Sequence, residues 1–442
     1  MTGLGNACVN TPMTEQAAPL RSTFGAATAA RVPARHVAAA VAGNALECYD
    51  FIVYSYFAVQ IGRAFFPAHT AFASLMLSLA AFGAGFVSRP LGAVVIGRLG
   101  DRVGRKPAML LSFALMGASM LAMAFTPTFA QIGLAAPLLV LAARLTQGFA
   151  MGGDIGSTTT FLLESSPDRR RGFNTAWQLA TQGVATIASG LVGLAISRLF
   201  GAEGLQAWGW RAAFLLGALI LPFGLILRRS LPETLETAAP TPLRALLAAH
   251  GRTIALAFLI IGNINVSYYV LGYMTTYAVT SLHMAPAAAF GAPIVFGLCT
   301  LAFSLAGGAL SDRIGRKPVM IWPRAALLVA AYPAFWLLAR NRDPMSLLAV
   351  TAVLAALSQM AGAGALVAVT EALPKAARCL ALSVIYAVAA AVFGGATQPA
   401  LAWLLHNTAG GLAPAYLLIA GTAMGLAAMA MMPETAPGRP RR

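Results

Sequence analysis

Long apolar runs alternate with short polar segments along almost the whole chain. A helix needs about 20 mostly apolar residues to cross about 30 Å of hydrocarbon. Twelve runs are long enough, and we expect each to form a transmembrane helix: residues 37–61, 73–97, 107–126, 132–162, 173–198, 211–228, 253–280, 287–309, 319–339, 345–370, 379–404 and 413–431. The pattern predicts an all-α polytopic membrane protein with twelve transmembrane helices.

Composition supports this prediction and excludes some partners. Hydrophobic residues make up 59% of the chain and charged residues 10%, whereas about 25% is typical of soluble proteins. We therefore expect a lipid bilayer around most of the surface. The net charge of +16 comes from basic residues in short loops between apolar runs, so we expect no nucleic-acid partner. The four cysteines form no C-x-x-C pair, and we expect no metal site.

The distribution of basic residues predicts the topology. Loops on the cytoplasmic side of a membrane are enriched in lysine and arginine. One set of loops contains most of the 30 basic residues, and the opposite loops contain only Arg63, Arg198, Arg211, Arg340 and Arg342. Because the number of spans is even, both termini are expected in the cytoplasm, with the chain in a bacterial-type inner membrane.

Two motifs recur in the same order and divide the chain into repeats. The segment G-R-L-G-D-R-V-G-R-K-P at residues 97–107 returns as G-A-L-S-D-R-I-G-R-K-P at 308–318. The pattern E-x-x-P-x-x-x-R occurs at residues 164–171 and again at 371–378. Such repetition predicts two six-helix repeats in the same orientation. The expected domains are a cytoplasmic tail (1–35), a first bundle (36–229), a cytoplasmic central loop (230–252), a second bundle (253–432) and a cytoplasmic C-terminal tail (433–442).

These features together resemble the major facilitator superfamily. Four segments resemble the metabolite:proton symporter family within this superfamily: GNALECYDF at 43–51, SRPLG at 88–92, RLTQGF at 144–149 and GGD at 152–154. AFASLML at 71–77 and WGWR at 208–211 look most like the citrate and tricarboxylate members. Asp154 departs from the family pattern, which usually has glutamate there. The resemblance implies secondary active transport by alternating access, driven by the proton gradient and requiring no cofactor.

The repeated polar segments have the residues of a helix-to-helix contact. Glycines permit close approach, and an aspartate accepts hydrogen bonds from arginine or from N–H groups at a helix start. The resemblance implies a cytoplasmic gate that holds while the outward-open state persists. The alternative is that these basic turns only fix topology. The gate candidates are Gly97, Asp101, Arg102, Gly104, Arg105, Glu164, Arg171, Gly308, Asp312, Arg313, Gly315, Arg316, Glu371 and Arg378.

Five ionisable residues lie within the spans: Glu47, Asp50, Arg89, Arg144 and Asp154. Charges at this depth cost several kcal/mol unless they are paired or hydrated, so such residues are functional candidates. Three acids against two arginines leave one carboxylate without a basic partner among the five. We therefore expect the proton-coupling group to be Glu47, Asp50 or Asp154. The alternative is that Glu47 or Asp50 pairs with Arg89, which we expect to be a structural charge. Arg324 is placed near the cytoplasmic end of its span.

Arg144 is the strongest candidate for binding an anion, because a guanidinium holds a carboxylate through two parallel hydrogen bonds. Helical spacing places further polar residues on the same faces as the intramembrane charges or on one face of span seven. These residues are candidate substrate contacts, although polar residues also hold neighbouring helices together. They are Gln147, Asn44, Tyr54, Asn265, Tyr269 and Tyr273.

The sequence thus predicts a proton-coupled symporter of a di- or tricarboxylate, with citrate-like compounds first. The partners are the small carboxylate, protons and the bilayer, with no obligatory protein partner. We expect no enzymatic activity, because no span contains the nucleophile or metal cluster that a membrane enzyme needs. The sequence has no nucleotide-binding G-x-x-x-x-G-K-[ST] loop, so we expect the proton gradient and not ATP to drive transport. The alternatives are a symporter of a zwitterion or monocarboxylate, a metabolite exporter of the same superfamily, and a non-transporting membrane sensor.

Overall fold

The computed structural model describes residues 34–103, 105–152, 154–229, 243–408 and 411–437. Regular secondary structure in these ranges is helical throughout. The α-helices are α1 Ala34–Tyr56, α2 Ala58–Phe65, α3 Ala71–Val87, α4 Arg89–Arg102, α5 Arg105–Phe125, α6 Phe129–Ile132, α7 Ala135–Met151, α8 Asp154–Glu164, α9 Arg171–Gly204, α10 Trp210–Arg229, α11 Leu243–Gly272, α12 Met274–Thr280, α13 Pro286–Ala289, α14 Gly291–Ile314, α15 Arg316–Asn341, α16 Pro344–Ala372, α17 Arg378–Ala389, α18 Gly395–Asn407 and α19 Ala413–Met431.

Each of the twelve apolar runs is helical. Six of them consist of two successive helices, namely α1 with α2, α3 with α4, α7 with α8, α11 with α12, α13 with α14, and α17 with α18. A π-helical turn, Ala390–Gly394, joins the last pair. By length and composition, nine helical segments of the described residues can cross a membrane, and the 51-residue segment Asp168–Ala218 covers two predicted spans. The remaining two predicted spans correspond to α1 with α2 and to α5.

Local sequence determines where several helices begin. Thr70 caps α3 by accepting a hydrogen bond from Ala73 N at 3.1 Å. Asp343 caps α16 by accepting one from Ser346 N at 2.9 Å. The Ser346 hydroxyl and backbone N–H lower the pKa of Asp343, which favours the ionised cap at neutral pH. Both caps lie at helix ends in short loops.

We call residues 34–229 the first half and residues 243–437 the second half. The halves meet where α9 packs along α14, α8 against α17, and α3 against α18. Small residues allow the closest of these contacts, since a Cβ at Gly183 of α9 would lie 2.6 Å from the Gly297 carbonyl oxygen of α14. We call the face that carries residues 308–318 and Glu164 the inner face, and the opposite face the outer face.

Within the first half, α7 crosses α3 and α4 at very short range. A Cβ at Gly148 would overlap the Gly85 carbonyl oxygen, and one at Gly92 would overlap the Phe149 carbonyl oxygen. This close crossing brings Arg144, one helical turn from Gly148, against the aromatic side chains of α3.

We predict that Gly148→Ala lowers the apparent unfolding temperature in detergent, because the added methyl group separates α7 from α3. Overpacking of this kind costs about 1–3 kcal/mol. The matched control is Gly251→Ala, because a Cβ at Gly251 meets no atom within 4 Å. Size-exclusion profiles after heating measure both variants, and equal unfolding temperatures for the two would contradict the tight crossing.

Candidate functional site

Arg144 of α7 is fully buried and surrounded by aromatic rings. Its Cζ atom lies 4.2 Å from the ring centroid of Phe51, 4.5 Å from that of Tyr54 and 5.1 Å from that of Phe82. Cation–π attraction of this kind replaces part of the hydration that a buried guanidinium loses. We call Phe51, Tyr54, Phe82 and Phe86 the aromatic cage.

Gln147 connects Arg144 to Asp50. Arg144 Nη1 donates a hydrogen bond to Gln147 Oε1, and Gln147 Nε2 donates to Asp50 Oδ1 at 2.7 Å. All three side chains are at most 1% exposed. Asp50 Oδ2 and the Nε and Nη2 groups of Arg144 have no hydrogen-bond partner in the described part of the chain. Because buried polar atoms are nearly always satisfied, these atoms mark a position where a ligand or water fits.

A second guanidinium, that of Arg89, lies on the same ring as Arg144. Arg89 Cζ is 4.3 Å from the Phe51 centroid and 4.2 Å from the Phe86 centroid. Its Nη2 donates to the Met151 sulfur at 3.6 Å, and its Nε has no partner among the residues described. The two cations are therefore held close together by shared aromatic contacts. The structural role predicted for Arg89 stays a prediction.

Glu47 and Asp50 line a small cavity of ≈ 10 Å³ between α1, α5 and α10, together with Met116, Met120 and Gly217. This volume suits about one water molecule. Glu47 is 3% exposed. Both span-one acids therefore share one enclosed space, as their spacing on α1 predicts.

The structure describes the side-chain contacts of Asn44 but not those of Asp154. Asn44 Nδ2 donates to Thr181 Oγ1 and, at 3.4 Å, to the Gln178 carbonyl oxygen. Gln178 Nε2 in turn donates to Asn44 Oδ1 at 3.2 Å. The amide of Asn44 is thus engaged by α9. Asp154 begins α8, and its side chain lies outside the described part of the structure.

The predicted polar face of span seven divides between two locations. Tyr269 reaches the aromatic cage, with its ring 5.2 Å from Phe86 and 6.0 Å from Phe82. Asn265 Nδ2 donates within its own helix to the Ile261 carbonyl oxygen at 2.9 Å. Tyr273 lies farther out and lines a larger cavity.

This larger cavity has a volume of ≈ 410 Å³ and lies between the two halves at the outer face. Leu75 of α3 and Tyr273 are among its lining residues. Phe82, farther along α3, belongs to the aromatic cage, so the cavity and Arg144 are separated by about 10 Å along that helix. Tyr54 closes part of this gap, since its hydroxyl donates to the Ser78 carbonyl oxygen of α3 at 3.1 Å.

At the inner face, Asp312 joins the second half to the first. Its carboxylate accepts hydrogen bonds from Gly172 N at 2.7 Å and Phe173 N at 2.9 Å, two N–H groups in the first turn of α9. It also accepts one from Arg316 Nη1 at 2.7 Å. A carboxylate at a helix N-terminus is favourable because of the N–H groups and the helix dipole. The second copy of the repeated segment thus makes the type of contact that the sequence predicts.

Two ion pairs extend this contact. Arg316 holds Glu371 through two parallel hydrogen bonds, Nε to Oε2 at 3.1 Å and Nη2 to Oε1 at 2.9 Å. Glu164 of the first half pairs with Arg378 of the second at 2.8 Å. Arg171, by contrast, pairs with Asp168 within the first half at 2.9 Å. The glutamate of the first copy of the E-x-x-P-x-x-x-R pattern therefore pairs with the arginine of the second copy.

The structure describes further gate candidates in the second copy of the repeated segment, but few of those in the first copy. A Cβ at Gly308 would lie 2.5 Å from the Gly172 carbonyl oxygen, so this residue permits the contact of α14 with α9. Gly315 has a φ of 104°, which favours glycine. Arg313 lies in the last turn of α14. In the first copy, Gly104 and the side chains of Asp101, Arg102 and Arg105 lie outside what the structure describes, and no contact of Gly97 is described.

Glu434 was not predicted and completes the inner face. It accepts hydrogen bonds from Arg316 N and Lys317 N, both at 3.0 Å, and so caps α15. Burial raises the pKa of Glu434, and the N–H groups of Ala436, Lys317, Arg316 and Thr435 lower it by a larger total, leaving the pKa below its ordinary value. The stabilisation is therefore present above the ordinary pKa and is lost as the pH falls through the lowered value.

The comparisons with known proteins agree with this architecture. The model of the Major Facilitator Superfamily matches residues 37–306. The chain belongs to the major facilitator superfamily. The predicted fold class is thereby confirmed, with twelve transmembrane helices in two six-helix repeats.

Relatives within the superfamily match nearly the whole chain. The citrate-proton symporter of Salmonella typhi is 34% identical over 430 residues, or 96% of each chain. That of Klebsiella pneumoniae is 34% identical over 87% of this chain and 88% of its own. The proline/betaine transporter of Escherichia coli (strain K12) is 30% identical over 90% of this chain and 83% of its own.

A solved superfamily structure shows the same fold. The proton:xylose symporter XylE bound to 6-bromo-6-deoxy-D-glucose has a TM-score of 0.72 at 20% identity, covering 91% of this chain and 96% of that chain. The predicted resemblance to the superfamily is confirmed, and the protein is a multi-pass membrane protein.

Sequence reasoning missed Phe82 and Phe86 of the aromatic cage. Phe82 and Phe86 are four residues apart on α3, which is a detectable signal that both rings face the same side. Arg324, expected near the cytoplasmic end of its span, lies about two turns after the start of α15 and is fully buried. It donates to Ser267 Oγ at 2.9 Å and to the Ser358 carbonyl oxygen at 3.4 Å.

In this superfamily member we predict that Glu164→Gln or Arg378→Gln loosens α8 from α17 at the inner face. A pair with one partly exposed partner contributes about 1 kcal/mol or less, so the separated population should rise up to about fivefold. Spin labels at Ser165 and Lys375, in a background without native cysteines, measure the distance distribution.

The exchange variant Glu164→Arg with Arg378→Glu should restore the wild-type distribution. Asp168→Asn is the control, because the pair of Asp168 with Arg171 lies within the first half. Identical distributions for Glu164→Gln, Arg378→Gln and the wild type would show that the pair does not hold the two halves together.

Proposed function

We propose that the protein is a secondary active transporter that imports a di- or tricarboxylate, citrate-like compounds first, together with protons. Two relatives that are 34% identical to the chain are named citrate-proton symporters. The observation that carries the proposal is the buried linkage of Arg144, Gln147 and Asp50, in which hydrogen-bonding atoms of both charged groups meet no partner among the described residues.

The unused edge of Arg144 has the geometry that binds a carboxylate. Arg316 of the same protein holds Glu371 through its Nε and Nη2 groups, which lie on one edge of the guanidinium. The corresponding edge of Arg144 meets no acceptor among the described residues. A substrate carboxylate placed there gains two charge-assisted hydrogen bonds in a buried, largely apolar setting.

Proton coupling follows from the charge balance of the site. With Glu47 and Asp50 ionised, the charges of Arg89, Arg144, Glu47 and Asp50 sum to zero. An arriving carboxylate then leaves a net negative charge in the membrane. A proton on Asp50 removes that charge, so substrate and proton each favour the binding of the other. Glu47 and Asp154 are the further candidates for the coupled proton.

Alternating access supplies the movement. We propose that residues 36–229 and 253–432 rock against each other, joined by the central loop 230–252, with both termini in the cytoplasm. The contacts of Asp312 with α9 and of Glu164 with Arg378 close the inner face in this state, while the ≈ 410 Å³ cavity lies at the outer face. The gate candidates would separate when the substrate is released inward. The proton gradient drives the cycle, with no cofactor, chemical reaction or obligatory protein partner.

A zwitterion such as betaine is the second candidate, because relatives that are 30–32% identical are named proline/betaine or glycine betaine transporters. A quaternary ammonium binds to open aromatic faces. In this structure Phe51 and Phe86 already hold the guanidinium groups of Arg89 and Arg144. This arrangement favours an anion over a zwitterion or an uncharged metabolite. Export by the same site requires only reversed gradients.

The proposed function predicts uptake of radiolabelled citrate by proteoliposomes with an imposed inward proton gradient. Tricarballylate and 2-oxoglutarate are compared with proline betaine in the same assay. Citrate uptake should rise with the gradient and collapse with a protonophore. Uptake that does not depend on the gradient would refute symport, and uptake of proline betaine alone would refute the substrate class.

Arg144→Lys keeps the positive charge but loses the planar edge of the guanidinium. We therefore predict that it raises the KM for citrate about tenfold, which corresponds to about 1.4 kcal/mol.

We predict that Asp50→Asn lowers gradient-driven accumulation at least tenfold but retains exchange of internal for external citrate, because exchange needs no net proton movement. Asp168→Asn, a change of the same type in an exposed turn, should transport normally. Glu47→Gln and Asp154→Asn in the same two assays identify any second proton site. Full accumulation by Asp50→Asn would exclude Asp50 as the coupling group.

A further inference from the structure

The outer cavity carries basic groups that the Arg144 site does not use. Arg63 and Phe72 of the first half and His283 and His406 of the second half are among the residues that line it. The cavity volume of ≈ 410 Å³ lies within the range of small-molecule sites. The cavity therefore has the size of a binding site and not only of a passage.

These basic groups are available to a ligand. Arg63, His283 and His406 are exposed. Arg63 and His283 make no hydrogen bond or ion pair with any residue the structure describes. His406 stacks on Phe72, with 3.8 Å between ring centroids and an interplanar angle of 11°, which fixes the imidazole and leaves its edge open.

The cavity wall has no compensating negative charge. No aspartate or glutamate is among its lining residues in the described ranges. Asp343, an acid of another outer loop, is engaged as the cap of α16. Hydroxyl groups of Tyr273, Thr280 and Ser281 complete the polar part of the lining. The wall thus offers hydrogen-bond donors and positive charge, which attract anions.

The cavity is separate from the Arg144 site. Tyr54 and Phe82, both fully buried, stack with ring centroids 5.9 Å apart, and both rings cover the buried guanidinium of Arg144. A ligand in the cavity cannot touch Arg144 until these aromatic side chains move. The two positions are therefore two successive sites on one route.

We propose that the outer cavity is a second, peripheral anion site, where a compound with two or more carboxylates docks before it passes the aromatic cage to Arg144. This inference rests on the proposed function. The basic groups come from α2, the segment after α12 and α18, so they are spread around the wall and engage separate carboxylates of one molecule. A monocarboxylate satisfies only one of them, and a zwitterion also brings a positive charge towards Arg63. The site therefore selects for multivalent anions.

The test compares the wild type with Arg63→Gln, His283→Gln and His406→Gln, singly and combined. These exposed positions leave the packed core intact. Calorimetry with purified protein should detect two citrate sites in the wild type and one in the triple variant, while Arg144→Ala should lose only the other site. In proteoliposomes the triple variant should raise the outer KM for citrate at least fivefold and that for a monocarboxylate less than twofold.

Arg198→Gln is the matched control, because Arg198 is an outer-face arginine that does not line the cavity. Arg63→Glu, which reverses the charge, should raise the KM more than Arg63→Gln. Wild-type stoichiometry and KM in the triple variant would overturn the peripheral site alone. A wild type that neither binds nor transports any carboxylate would overturn the proposed function and the peripheral site with it.

Discussion

The positive charge of Arg144 has to be stabilised where lipid and packed helices exclude bulk water, and much of the first half is arranged around this requirement. An unpaired charge at such depth costs several kcal/mol. Aromatic rings of α1 and α3 surround the guanidinium, and Gln147 connects it to Asp50. The glycine contact of Gly148 with Gly85 brings α7 close enough to α3 for these interactions. Helix packing, ring placement and charge therefore form one interdependent unit.

The two faces of the molecule solve a different problem, which is to hold two halves together reversibly. At the inner face the links are charged, as in the contact of Asp312 with the start of α9 and the pair of Glu164 with Arg378. The pair of Glu164 with Arg378 forms and breaks near water with a small net change in free energy, because the Glu164 side chain is half exposed. Along α9 and α14 the contact is instead one of small residues such as Gly183 and Gly297, which allows sliding without a large loss of buried apolar area. The combination suits rocking of one half on the other.

Sequence alone predicts the features that are determined by residues close together in the chain. The length of each apolar run predicts the twelve spans, and the depth of Arg144 and Asp50 within those runs identifies them as functional candidates. Sequence does not predict contacts between distant helices, such as the crosswise pairing of Glu164 with Arg378 or the capping of α15 by Glu434. It also does not predict the full burial of Arg324, because the position of a residue along a helix does not reveal which neighbouring helices cover it. Tertiary packing determines both.

A structural arginine can be distinguished from a ligand-binding arginine by how many of its N–H groups have hydrogen-bond acceptors within the protein. Arg316 uses Nε, Nη1 and Nη2 on Glu371, Asp312 and Ser311, which describes a structural connection. Arg144 is equally buried, yet two of its three nitrogen atoms meet no acceptor in the described structure. A folded protein tolerates such unsatisfied donors when a ligand supplies the acceptor during its working cycle. The contrast between these two guanidinium groups is thus the physical reason to place the substrate carboxylate at Arg144 and the gate at Arg316.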